Sequence, residues 1–152
     1  MKITIKSRQK DISDSWDIHE YDGSFDCLND RYFIRYTEKI YEDGKNIPKG
    51  IDPASLSEDR DNYDRTCVRT LVKVFDKSVE VTRQGAVNSR LVFCEGETLC
   101  SSYPTAYGNF EAEIYTKKIR ISHENDSFSV RLFYSLKLNG TFVSDCDFEL
   151  SL

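Results

Sequence analysis

At 152 residues, 39% of them hydrophobic and 31% charged, the chain is long enough to bury one core and too short for two of ordinary size. Nine Tyr and nine Phe against a single Met tilt the composition toward strand formers and exclude wholesale disorder. A formal charge of -5 offers no general attraction to phosphate backbones or anionic membranes, so neither nucleic acid nor a membrane is an expected partner.

The chain opens on Met1-Lys2-Ile3-Thr4-Ile5-Lys6, which alternates from its first residue and leaves no apolar run for a signal peptide. A first strand is therefore predicted around Ile3 and Ile5. A second is predicted from Trp16 to Cys27, broken at Gly23, and a third from Arg31 to Tyr41. In the second, His19, Tyr21, Phe25 and Cys27 share one parity, which predicts an imidazole partly buried in a sheet wall. Asp43 to Arg65 holds Pro48 and Pro53 and almost no apolar periodicity. It reads as a polar, mobile insertion, 43-65, within a single domain 1-152.

From Thr66 onward the alternation is nearly continuous. Val68, Thr70, Val72 and Val74 form one face; Val79 and Val81 follow a turn at Asp76-Lys77, and Leu91 and Phe93 come after Gly85. The longest charge-free stretch, Thr98 to Phe110, contains Pro104 and Gly108 and is too short to span a bilayer. Phe110, Ala112, Ile114 and Thr116 face inward while Ile119 and Ile121 have the opposite parity, so a bulge is predicted near Lys117-Lys118. Phe128, Val130, Leu132, Tyr134, Leu136 and Leu138 make another core face, ended by the hairpin signal Asn139-Gly140. In the last strand Phe142, Cys146, Phe148, Leu150 and Leu152 are expected inside, with Val143, Asp145, Asp147 and Glu149 on the wet face. The fold class expected is all-β: a single antiparallel barrel of about eight to ten strands, with a sandwich as the alternative.

Few residues are arranged for chemistry. His19 and His123 are the only histidines and have no partner at metal-ligand spacing, so no metal and no cofactor is expected. The five cysteines, Cys27, Cys67, Cys94, Cys100 and Cys146, form no Cys-x-x-Cys pair; 67, 94 and 146 read as buried small hydrophobes, and a reducing, cytoplasmic location fits them. Ser101-Ser102 lacks the setting of a nucleophile elbow, no glycine-rich loop cradles phosphate, and no catalytic residue is assigned. Lys117, Lys118 and Arg120 lie among Glu111, Glu113 and Glu124 and read as a solvated strand end.

Two charges stand out because alternation puts them on core faces: Arg83 continues Val79 and Val81, and Glu38 continues Ile34 and Tyr36. An isolated buried charge costs far more than a paired one, so the two are expected to meet inside the barrel or near one mouth. Either the pair holds strand register, or Arg83 and Glu38 bind the carboxylate or phosphate of a small ligand, with Tyr36, Tyr103, Tyr107 and Tyr134 as walls. An enzyme using Arg83 and Glu38 as electrostatic stabiliser and acid or base ranks below both.

Gly23, the run Tyr32-Phe33-Ile34-Arg35-Tyr36-Thr37-Glu38, Val79-x-Val81-x-Arg83-x-Gly85, Phe93, and Tyr103-x-Thr105-x-Tyr107-Gly108 with Thr116 together resemble, in order, a bacterial YwiB-like family of unknown function. That resemblance implies a calycin-like (lipocalin-like) barrel over nearly the whole chain and no established activity. It also implies a much shorter connection where this chain has Asp43 to Arg65. The leading functional expectation is binding of a small anionic or amphipathic molecule inside the barrel. The alternative is a structural or interaction module with a packed barrel, in which outward Phe133 and Val143 form a homo-oligomer contact.

Overall fold

The computed structural model describes residues 1–12, 14–39, 66–105 and 108–152, the side chains of 103–105 excepted. Tyr107 and the 43-65 insertion therefore lie outside the described residues, as does the side chain of Tyr103. The strands are β1 (Lys2–Gln9), β2 (Asp17–Leu28), β3 (Arg31–Lys39), β4 (Cys67–Val74), β5 (Ser78–Gly85), β6 (Ser89–Cys94), β7 (Thr98–Thr105), β8 (Gly108–Glu124), β9 (Ser127–Leu138) and β10 (Thr141–Ser151). They form one antiparallel sheet in the order β6-β5-β4-β3-β2-β1-β10-β9-β8-β7. The first and last strands pair from Thr4↔Ser151 to Gln9↔Cys146 and so join the two halves. The result is an all-β, nearly closed barrel of ten strands; no helix among the described residues is long and apolar enough to cross a membrane.

One face of the strands is lined by β-branched and aromatic residues, and the middle of the barrel is filled by them. Ile3, Ile34, Val68, Val72, Val130, Leu132 and Leu150 are buried completely or nearly so. Two-residue turns with positive φ at both positions, Asn29-Asp30 and Asn139-Gly140, connect β2 to β3 and β9 to β10. That geometry matches the twist of the flanking strands and pins their register.

The break expected at Gly23 is a change of partner within a continuous strand. β2 pairs with β1 up to Asp22 and with β3 from Gly23 onward. A Cβ at Gly23 would run into the carbonyl oxygen of Arg35 and Cδ1 of Ile3, so only glycine admits the close approach that this handover needs.

Two bulges set the other faces. The predicted one lies in β8 between Thr116 and Lys118, and it turns Ala112, Ile114, Thr116 and Ile119 all inward. A second, between Phe142 and Ser144 in β10, was not anticipated. It inverts the expectation for Phe142, which is 51% exposed; Ser144 takes the inward place instead. The Asp11 carboxylate holds this bulge, accepting from the Asp145 amide at 2.9 Å and from the Ser144 hydroxyl at 3.2 Å.

Closure comes from the turn between β6 and β7, which share no ladder. The Gly96 amide donates to the Thr116 carbonyl at 2.8 Å and the Thr116 amide to the Glu97 carbonyl at 3.2 Å. The Glu95 carboxylate accepts from the Ile119 amide at 3.0 Å. The turn is thus stitched into the β8 bulge.

Replacing Gly23 with Ala is expected to destabilise the fold by at least about 2 kcal/mol in urea denaturation, the scale of a backbone-level overpacking. A loss within the ordinary range of a surface substitution would mean that the β2 handover does not require the close approach.

Candidate functional site

Arg83 and Glu38 meet. Their strands are separated by β4, and Tyr36↔Thr70↔Arg83 and Glu38↔Val68↔Gly85 are successive rows on the same face of the sheet. Because β4 places the short side chains Val68 and Thr70 between them, the long Arg83 side chain reaches over one strand, and its Nη2 donates to Glu38 Oε2 at 3.0 Å. The side chains are 29% and 24% exposed, so the pair lies where the sealed core meets solvent.

Tyr21 completes the cluster, its hydroxyl donating to Glu38 Oε1 at 2.9 Å. Its ring stacks on Tyr36 with centroids 4.9 Å apart. Each Glu38 oxygen thus has its own donor, one neutral and one cationic, which offsets the cost of taking a carboxylate partly out of water. Burial, the hydrogen bond to Glu38 and its charge together push the Tyr21 phenol well above its ordinary range. Burial first, then the charge of Glu38, pushes Tyr36 up to about 12. Both phenols stay neutral donors at ordinary pH.

Tyr134 stands elsewhere. It pairs in register with Cys146 and Thr116, and its ring meets Phe93 edge-on at 4.9 Å. Tyr21 was missed as a site residue, although the two-residue Asn29-Asp30 turn carries the signal. That turn sets the pairing that runs from Leu28↔Arg31 to Gly23↔Tyr36, and continuing the same register by two residues places Tyr21 level with Glu38.

Other expectations need correction. His19 is exposed, stacked on Tyr21 at 6.3 Å, although its register partner Ile5 is buried. Cys27 is exposed near the other end of β2, whereas Cys67 and Cys146 are buried and Cys94 partly so. Asp147, assigned to the wet face, is 1% exposed. Its parity is outward as expected, but the β1–β2 connection folds over that face, with Lys10 donating to the Asp145 carbonyl and Trp16 lying 4.4 Å from the Arg8 guanidinium. Arg8 and Lys10 compensate the buried charge at 2.7 and 3.4 Å.

Among the described residues one grouping has metal-ligand chemistry: Cys100, Glu111 and Glu113, with ligand atoms within 4.8 Å of one another. Desolvation and the charges of Glu113 and Glu111 raise the Cys100 thiol, which favours the protonated, non-ligating form. A hollow of about 510 Å³ behind Tyr36 and Thr70 opens on the outer face of the sheet and is lined by Asp22, Arg35, Thr37 and Thr82.

A model of a family described as a domain of unknown function (DUF1934) matches residues 57–150. The crystal structure of the ywiB protein from Bacillus subtilis superposes with a TM-score of 0.72 at 18% identity, covering 99% of this chain and 87% of that one. At that identity the likeness establishes the barrel fold. No curated protein matches the chain.

The Tyr36 phenol sets a pH dependence. Its value of about 12 in the folded state lies above the ordinary 10.0, so the native protein holds this proton more tightly than the unfolded chain does. Stability is full below the ordinary value and declines as pH rises from 10.0 toward about 12. Denaturation across that window should give a shallower alkaline decline for Tyr36→Phe than for the wild type; coincident slopes would remove the phenol from this environment.

Proposed function

The chain belongs to the YwiB-like DUF1934 family, a domain of unknown function, and from its own geometry we propose that it binds a small anionic or amphipathic molecule at one mouth of the barrel. One observation carries this reading: a hydrogen-bonded Tyr21–Glu38–Arg83 chain, about a quarter exposed, stands at the end of an otherwise sealed core. Ile34 and Val72, one step deeper on β3 and β4, are fully buried, so a ligand engages the mouth and not the barrel centre.

An arriving carboxylate or phosphate competes with Glu38 for the Arg83 guanidinium, and the Tyr21 and Tyr36 rings offer an apolar wall. Five unpaired cysteines support a reducing compartment such as the cytoplasm. The filled core also favours a second reading, a structural or interaction module that binds no small molecule.

Titration with 8-anilinonaphthalene-1-sulfonate, an anionic amphipathic probe, separates the two. One saturable site is expected, weakened about tenfold or more in Arg83→Ala, the loss of a charge-assisted contact. Circular dichroism of the variant checks that the barrel is intact. Absence of saturable binding, or binding indifferent to Arg83→Ala in a folded protein, leaves the packed module standing.

A further inference from the structure

The outer face of the β8–β9 hairpin carries a second cluster, remote in the sheet from Arg83. Arg120 and Arg131 stand directly opposite each other across the two strands, and the next outward pair is Ser122↔Ser129. Like charges in direct cross-strand register repel. Neither arginine has a carboxylate within ion-pair distance among the described residues. Both guanidiniums lie against Phe133 instead, at 5.8 and 4.8 Å from the ring centre, which positions them without neutralising them. Arg131 Nε is buried with no hydrogen-bond partner.

A hollow of about 640 Å³ lies over this square, walled by Arg120, Arg131, Ser122 and Ser129, with Glu149 at its side. Glu149 stands in register between Lys6 of β1 and Arg131 without an ion pair to either among the described residues, and two guanidiniums against this one carboxylate leave the lining of the hollow with a net positive charge.

We propose that this hollow is a binding site for a phosphate group, either as the free ion or as the phosphoryl end of a small molecule. Two arginines and two serines line the same hollow, a donor set that a tetrahedral dianion accepts from, and arginine forks match its oxygens in pairs. A nucleic-acid track is disfavoured by the neighbouring groups. Arg8 and Lys10 are tied to Asp147 at 2.7 and 3.4 Å, and Lys117 to Asp145 at 2.8 Å. The Trp16 ring already carries Arg8 and Arg131 guanidiniums at 4.4 and 5.7 Å, so it offers no bare platform for a base.

The test is a titration of the whole, isotope-labelled chain with inorganic phosphate, read by amide chemical shifts and matched in ionic strength by chloride. Saturable shifts are expected at 119–122 and 129–131, with affinity about tenfold weaker in Arg120→Gln and reduced in Ser122→Ala. Arg120 is exposed, so its loss spares the fold even where Arg131→Gln does not. Adenosine monophosphate should give the same map as phosphate. Non-saturating shifts, shifts scattered over all surface cations, or affinity unchanged in Arg120→Gln would overturn the site. So would a single-stranded oligonucleotide binding far more tightly than adenosine monophosphate with a steep salt dependence, which would mark a polyanion track.

Discussion

The bulge in β8 between Thr116 and Lys118 is the constraint on which the rest of this structure depends. Without the extra residue, Ile119 and Ile121 would face water and the strand would lose their core contacts. Beside the same bulge β8 runs past the start of β7 at Thr98↔Tyr115, and the Glu95–Glu97 turn takes up the backbone groups left there. Sheet closure and core parity therefore meet at one place in β8. The outward positions of Arg120 and Ser122 follow from the same shift.

Against that frame, charge is handled in three different ways. At the mouth, Glu38 is bonded at both oxygens and Arg83 keeps part of its surface in water. Under the β1–β2 connection, Asp147 is sealed from solvent, and the desolvation of its carboxylate is offset by Arg8 and Lys10. On the β8–β9 face, two arginines are held beside an aromatic ring with no carboxylate of the described residues within ion-pair distance. The first pair is part-exposed, the second is sealed, and the third has no ion-pair partner among the described residues.

The packed centre narrows what the barrel can do. Barrels of about eight strands are just wide enough for side chains to fill, whereas wider ones tend to leave room inside. Here ten strands enclose a filled core, in which aromatic rings from separated strands meet. Phe93 against Tyr134, and Phe25 and Tyr32 against Phe128, are contacts of this kind.

By itself the sequence determined the all-β class, the bulge at Lys117-Lys118, the Asn139-Gly140 hairpin and the shared core-facing parity of Arg83 and Glu38 with their apolar neighbours, because each follows from a period of two or from local turn chemistry. Only the tertiary structure decided which groups those charges and their neighbours meet. The long connection after β3 leaves the β3–β4 register unspecified by turn geometry, so the reach of Arg83 across Val68 and Thr70 is not written locally. Asp147 is outward by parity and buried by a segment more than a hundred residues away in the chain, and the β10 bulge at Phe142 rests on Asp11, equally remote. Alternation states which side of a strand a residue faces; what covers that side is settled only when distant strands and connections pack against it.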